Sequence, residues 1–455
     1  MTYIRHLDWG ILEVLYLIII FAVGFFVTLL IIPYVIKYMK KKGKVGYDIH
    51  KNDRPEIAES GGISIVIGIL VASTLAMILF PVFFNVIFIF SLTIILAAII
   101  GLVDDIKKLR SRYKILLTLF TGSFIFFANY YNFIKISSPT LPFLGTTRLT
   151  LLYPLMVPII VAVFANTVNM MEGYNGEGSG TCLIAVCFLF VCSLILNSAE
   201  GLLFTLIAIA VLIPFYLYNK YPAKIFPGDI GTLSIGVMIA CIALFGSLEV
   251  ALFCALLMHI FNSFYILSSV KGFFESSKIQ GFKNDIILLE DDRIKASHQK
   301  GAALTLPRLI LAKGPLTEKE LVNNFYAISI ICGIFSIIST LFIVWTFGGL
   351  NTIIIIIIIL LLSVPCTIIL YKFNRIRGIV FLMICLLIAG AFLLIFISVY
   401  IMSLPFADID LILIKIPLNI LFSIILFIPG LILWYLISIK YFWIEIKKIK
   451  NSALN

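Results

Sequence analysis

Apolar runs of about 20 residues recur along this whole chain, and that feature removes most folds from consideration. A helical run of that length crosses the roughly 30 Å hydrocarbon core of a bilayer. Only helices and closed barrels satisfy every backbone N–H and C=O in lipid. With 62% hydrophobic and 13% charged residues, the chain has too little polar surface to cover a water-soluble body. It reads as an all-α polytopic membrane protein. The runs place spans near 11–39, 60–80, 82–103, 115–131, 149–170, 181–197, 200–218, 230–246, 248–271, 325–348, 350–371, 377–402 and 416–443, about thirteen in all. The first is too long for the apolar stretch of a signal peptide and is followed by lysines, so it reads as a retained span.

The net charge of +11 is explained by topology before any partner is invoked. Connections after odd-numbered spans hold nearly all the Lys and Arg: Lys40–Lys44, Lys107–Lys114, Lys220–Lys224, Lys271–Lys313, Lys372–Arg377 and Lys447–Lys450. Even-numbered connections such as Ser137–Gly145, Asn197–Glu200 and Ser403–Asp410 are poor in cations. The positive-inside rule then predicts an outside N-terminus and a cytoplasmic C-terminus. No folded basic module is present, so nucleic acid is not an expected partner. All eight cysteines fall inside apolar runs without zinc spacing and read as small core hydrophobes. Residues 1–272 form an expected transmembrane catalytic core, 273–322 a cytoplasmic loop subdomain, 323–349 a further span of the core, and 350–455 extra C-terminal transmembrane helices.

Four polar segments interrupt the apolar pattern: Lys51–Gly62 (KNDRPEIAESGG), Asp104–Lys114 (DDIKKLRSRYK), Asn166–Gly176 (NTVNMMEGYNG) and Phe226–Asp229 (FPGD). Carboxylates, amides and cations are costly near hydrocarbon and gather at bundle interiors or aqueous clefts. All four follow odd-numbered spans, so one site on the cytoplasmic face is expected.

Asp104 and Asp105 are adjacent carboxylates whose repulsion calls for a metal or basic side chains. They also read as a solvated helix end, with Lys107, Lys108, Arg110 and Arg112 as membrane anchors. Asn169 and Asn175 bracket a segment containing Gly173. An amide oxygen is a neutral hard ligand for Mg²⁺, and Gly173, Gly176, Gly178 and Gly180 let backbone approach a nucleotide closely. A plain Gly-rich turn is the alternative. Asp229 opens a span, where Asp commonly caps a helix. From there its carboxylate can also reach a metal held by Asn169, while Phe226 offers an aromatic face to a base. Lys114, Arg112 and Arg308 can neutralise phosphate oxygens, although loop cations also serve as anchors. No HExxH, GxSxG or P-loop pattern occurs among these residues. His259, near Asn262 in an apolar run, reads as a packed side chain. The oxygen-rich inventory favours Mg²⁺ or Mn²⁺ over zinc.

Taken in order, these segments resemble the polyprenyl-phosphate N-acetylhexosamine-1-phosphate transferase family, and within it the dolichyl-phosphate GlcNAc-1-phosphotransferase branch of eukaryotes and archaea. That branch shows a double Asp followed by an R-x-R-x-x-K-like segment, matched by Asp104-Asp105 and more loosely by Arg110 to Lys114. Its N-x-x-N-x-x-x-G-x-N-G segment is matched by Asn166, Asn169, Gly173, Asn175 and Gly176. F-x-G-D appears as Phe226 to Asp229, and a Pro-Glu-Ser-x-Gly-like loop as Ala58 to Gly62. The likeness covers roughly residues 10–310. It implies that Asn169 and Asp229 bind Mg²⁺, or Mn²⁺, with Asp104 and Asp105 acting near the metal and the acceptor phosphate. It further implies that Asn175 and Phe226 contact uridine, Lys114 and Arg308 contact phosphates, and Glu59 lies near the sugar. Two departures stand out. An H-R-I-P-R segment of the branch is Leu304-Thr305-Leu306-Pro307-Arg308 here, and family members typically have ten or eleven spans.

The reaction implied is attack of a polyprenyl or dolichyl phosphate oxygen on the β-phosphorus of UDP-GlcNAc, giving a lipid pyrophosphoryl sugar and UMP. It would open a lipid-linked oligosaccharide pathway at a bilayer, the plasma membrane in a prokaryote. A homodimer is compatible with the sequence. The rivals are a family enzyme using another UDP-N-acetylhexosamine and a cation-coupled transporter. Against the latter, the polar segments gather at one interface instead of the bilayer midplane. The catalytic unit is expected to be complete by about Phe347, with the later spans dispensable for nucleotide binding.

Overall fold

The computed structural model describes residues 10–146, 152–270, 284–299, 301–401, 408–411 and 414–452. Each long apolar run forms a helix, because in lipid a helix satisfies its backbone internally. The first part of the chain runs α1 (Ile11–Lys41), β1 (Val45–Tyr47), β2 (Glu56–Ala58), α2 (Gly62–Leu79), α3 (Phe84–Lys107), α4 (Ser111–Tyr130), β3 (Thr140–Leu141), β4 (Gly145–Thr146) and α5 (Leu152–Asn169). It continues with α6 (Glu177–Leu196), α7 (Ala199–Asn219), α8 (Gly228–Gly246), α9 (Glu249–Ala255), α10 (Leu257–Val270), β5 (Ile286–Leu288), β6 (Arg293–Ala296) and α11 (Leu306–Leu311). The remainder is β7 (Leu316–Thr317), α12 (Glu318–Thr346), α13 (Thr352–Lys372), α14 (Arg377–Phe396), β8 (Asp408–Leu411), β9 (Ile414–Pro417) and α15 (Leu418–Ser452).

The protein is an all-α polytopic membrane protein, with a different span count from the sequence expectation. A helix stands at each of the thirteen expected positions, yet among the described residues ten are long and apolar enough to cross a membrane, or eleven with the bent pair α9–α10. The two halves of that pair meet at 66°. Of the rest, α5 is short, and α4 carries Arg112 and Lys114 in its first turn. Helix α8 is the most enclosed of the ten, with 83% of its apolar window buried, against 6% for α13. It packs against α2, α3, α5 and α7, so both faces of α8 are core and its start is fixed from several sides.

The connections sort to two ends. At one end, β1 and β2 pair antiparallel, with Val45 opposite Ala58. Ala58 also forms a parallel bridge to Ile225, and Phe226 N donates to Ala58 O at 2.8 Å. Asn52 Nδ2 donates to Leu289 O, Glu290 O and Asp292 Oδ1, tying this hairpin to the long loop where β5, β6 and β7 form a small antiparallel sheet. The other end is held by contacts such as Ser137 with Ser247 and Phe143 N with Thr346 Oγ1. Residues 273–283 and 300 of the expected loop subdomain lie outside the described residues.

Helices α14 and α15 are not a separate appendage. Ile379, Met383, Trp434 and Phe442 share one buried cluster with Met171, Tyr174, Leu306 and Phe325. All eight cysteines are free thiols. His259 is fully buried, and its Nε2 shares a 3.1 Å hydrogen bond with Thr181 Oγ1.

Candidate active site

The Asp104-Asp105 pair closes α3, and helical geometry turns successive side chains by about 100°, so the two carboxylates find different partners. Asp104 forms an ion pair with Lys114 Nζ, and its Oδ1 accepts Leu109 N at 2.6 Å where the chain leaves the helix. Asp105 faces α8: Oδ1 accepts Asp229 N at 2.7 Å, Oδ2 accepts Ser60 Oγ at 2.7 Å, and Ile230 N approaches Oδ2 at 3.5 Å. Asp105 therefore caps α8 from a neighbouring helix, and it favours the positive end of that helix's dipole. Asp229 makes no side-chain cap. The capping alternative for Asp229 is set aside because its first-turn N–H groups are already supplied by Asp105.

That leaves the Asp229 carboxylate free to meet α4 and α5. Asp229 Oδ1 lies 3.0 Å from Lys114 Nζ and accepts the Asn169 amide, whose Nδ2 also donates to Thr232 Oγ1 at 2.7 Å. Lys114 Nζ donates in addition to Asn169 Oδ1 at 3.3 Å. Four helices thus deliver Asp104, Lys114, Asn169 and Asp229 to one point. Two glycines allow the approach. A Cβ on Gly101 would lie 2.4 Å from Ile230 Cα, and Gly228, at φ 65°, would place one 2.6 Å from Asp105 Oδ2.

Two carboxylates, Asp104 and Asp229, around the Lys114 ammonium leave the cluster with one excess negative charge. Asp104 Oδ2 is buried and accepts no hydrogen bond beyond its ion pair with Lys114. Carboxylate and amide oxygens are the donors a hard divalent cation takes, so the residues present fit Mg²⁺, with Lys114 Nζ standing where positive charge is wanted.

Asn175 belongs to an adjoining network. Its Nδ2 donates to Asp48 Oδ2 at 2.9 Å and Glu318 Oε2 at 3.1 Å, and its backbone N to Glu318 Oε1 at 2.7 Å. Lys51 Nζ pairs with Asp48 at 2.8 Å, and the His50 ring stacks on Tyr174 at 4.3 Å. Burial alone would raise the Asp48 carboxyl, but Lys51 and the Asn175 amide hold it below its ordinary value. Burial lowers His50, so its imidazole is neutral at pH 7. Asp48, His50 and Glu318 each bring one ligand-type atom within 4.8 Å of the others. Their carboxylates are already compensated by Asn175 and Lys51.

Glu59 is exposed and its carboxylate lies against Gly46; Phe226 is half-buried on the strand-like segment that pairs with Ala58. Arg308 is elsewhere in its contacts. It is fully buried, with Nε donating to Ser297 O, Nη1 to Ala302 O and Ala303 O, and Nη2 to Gln299 O. Four of five N–H groups are spent on the loop itself, so in this conformation Arg308 organises the loop and presents almost nothing to a phosphate. Asp48, Thr232 and Glu318 stand in no sequence motif, and Ser60 and Asn262 carry no site role in the sequence pattern; the fold brings all five into the site or against it. Thr317 and Glu320 form a capping box at the start of α12, a legible helix-start signal that places Glu318 but does not reveal its partner.

A multi-span helical bundle gathers carboxylates, an amide and an ammonium at one end, a charged cluster held at the edge of a membrane-spanning core. The profile of Glycosyl transferase family 4 matches residues 87–247, which include Asp104, Lys114, Asn169 and Asp229. A protein of Methanocaldococcus jannaschii named as a glycosyltransferase is 32% identical over 308 residues, 67% of this chain and 92% of its own. A protein of Saccharolobus solfataricus named as a UDP-N-acetylglucosamine–dolichyl-phosphate N-acetylglucosaminephosphotransferase is 33% identical over 245 residues, 53% of this chain and 74% of its own. A phospho-N-acetylmuramoyl-pentapeptide-transferase of Dictyoglomus thermophilum is 27% identical over 275 residues, 59% of this chain and 84% of its own. The chain belongs to the polyprenyl-phosphate N-acetylhexosamine-1-phosphate transferase family.

Proposed function

We propose that the protein transfers GlcNAc-1-phosphate from UDP-GlcNAc to a polyprenyl or dolichyl phosphate, with the site on the cytoplasmic face. The observation that carries this reading is the convergence of Asp104, Asn169 and Asp229 on Lys114 beside the Gly-rich loop that holds Asn175. The relatives named for dolichyl-phosphate GlcNAc-phosphotransferase activity support the donor and acceptor. The excess of cations on the connections at this end supports the orientation.

A lipid phosphate oxygen attacks the β-phosphorus, the bond to the α-phosphate oxygen breaks, and UMP leaves with that electron pair. The acceptor has a second pKa near 6, so much of it is already dianionic and no strong base is needed. Lys114 neutralises phosphate charge, Asp105 fixes the start of α8, and Asn169 and Asp229, beside Asp104, would hold Mg²⁺ or Mn²⁺. The ion would supply charge neutralisation between two anionic reactants. Phe226 would stack on the base, Asn175 would contact it, and Glu59 would face the sugar.

Purified protein given UDP-GlcNAc, polyprenyl phosphate and Mg²⁺ should release UMP, lose that activity in EDTA, and regain it with Mg²⁺ or Mn²⁺. Release with UDP-MurNAc-pentapeptide but not UDP-GlcNAc would reassign the donor; full activity in chelator would remove the metal. Asp104→Asn should lower the rate without abolishing it, since Lys114 keeps Asp229. A trapped phosphorylated Asp104 would overturn direct displacement.

A further inference from the structure

The C-terminal helices carry none of the motifs used above, yet they reach the site by continuous contact. Trp434 on α15 packs edge-on against Phe261 at 4.8 Å, and Phe442 packs against Tyr265 at 5.1 Å. The Arg308 guanidinium lies 5.9 Å from the Phe442 ring, and Tyr265 Oη donates to Ser438 O at 3.4 Å. At the corner between α13 and α14, Lys313 Nζ donates to Asn374 O and Arg375 O, while Arg375 Nη1 donates back to Gly314 O at 2.6 Å. The short helix α11 is therefore met from the C-terminal side at Arg308, in its middle, and just beyond its last residue.

On its other side α11 meets Asn262 of α10. Leu306 N donates to Asn262 Oδ1 at 3.0 Å, and Asn262 Nδ2 donates to Met170 O at 3.2 Å. Met170 follows Asn169 directly. Asn262 is 4% exposed, so water does not readily replace either bond. Only a side chain with both a donor and an acceptor can serve a carbonyl and an N–H at once.

We propose that Asn262 is a positioning residue for Asn169, that α11 sets Asn262, and that α15 braces α11 through Phe442. The catalytic consequence rests on the reading of Asn169 as part of the transfer site. The brace itself does not. The C-terminal spans are then part of the working unit, contrary to the expectation that a chain ending near Phe347 is sufficient.

The test uses full-length protein in detergent without metal or substrate, following hydrogen–deuterium exchange of 170–176 and 306–311. Asn262→Asp keeps the acceptor for Leu306 N and removes the donor to Met170 O; Phe442→Leu loosens the brace with little change in volume. Asn262→Asp should speed exchange in 170–176 while leaving 306–311 as in wild type. Phe442→Leu should speed both segments. In the UMP assay Asn262→Asp should lower kcat about tenfold, the scale of a lost buried hydrogen bond, and Phe442→Leu should lower it less because it breaks no hydrogen bond; each should also lower Tm, through a buried group left unpaired or a trimmed buried ring. Changes confined to α15 in Phe442→Leu, or unchanged exchange of 170–176 in Asn262→Asp, would overturn the proposal. Either variant decides alone should the other not fold. No UMP release by the wild type, together with this exchange pattern in the variants, would sink the transfer reading and leave the brace standing.

Discussion

Asp229→Asn should cut turnover roughly 10²–10³-fold, the cost of losing one preorganised electrostatic group, while leaving thermal stability equal to or above wild type. The two effects separate because the cluster carries one more negative charge than positive. Removing one carboxylate relieves repulsion against Asp104. The partners keep other contacts: Lys114 retains its ion pair with Asp104, and Asn169 retains Thr232 at 2.7 Å. Asp229 has a side chain 30% exposed, so its loss opens no cavity. Turnover and Tm measured on the same preparation check this. Turnover within tenfold of wild type would remove Asp229 from the site. A large fall in Tm would instead make its role structural.

Gly101→Ala should be the most damaging one-carbon change near the site. The new Cβ would sit 2.4 Å from Ile230 Cα and 2.5 Å from Asp229 O, against backbone that has no rotamer to change. The helices must part, at or above the roughly 1–3 kcal/mol typical of overpacking. The separation falls where Asp105, one turn beyond Gly101, caps α8. Small residues at crossing points let membrane helices approach closely, and this one sets the spacing of the cluster. We expect lower Tm together with turnover reduced more than tenfold. Gly390→Ala on α14 is the control, since nothing lies within 4 Å of its Cβ position. Equal behaviour of the two variants would show that the α3–α8 crossing does not govern the site.

Several site features were legible because their chemistry is local. Asp104 and Asp105 are neighbours in sequence, so their repulsion is visible without a fold, and the demand for a cation is met by Lys114. Asn169 and Asp229 stand at the ends of apolar runs, where polar side chains need a reason. The division of labour between the two aspartates was not legible. Which carboxylate turns to α4 and which to α8 depends on the rotation of α3, and that is set by packing at Gly101. Arg308 shows the same limit from the other side: an arginine in a polar loop reads as a phosphate ligand, and its burial under Phe442 depends on a helix more than 120 residues later.

The chain's own pattern determined the class of fold, the position of nearly every helix, and the end of the bundle at which polar chemistry gathers. Those follow from hydrocarbon thickness and the cost of exposing backbone or charge in lipid, which act on each segment separately. Only the tertiary structure decided that α9 and α10 form a bent pair, that Asp105 caps α8, that Asp48 and Glu318 hold Asn175, and that Asn262 joins α11 to the loop of Asn169. Each joins residues far apart in the chain through a bond whose partner is chosen by helix rotation and close packing, and no local propensity specifies either.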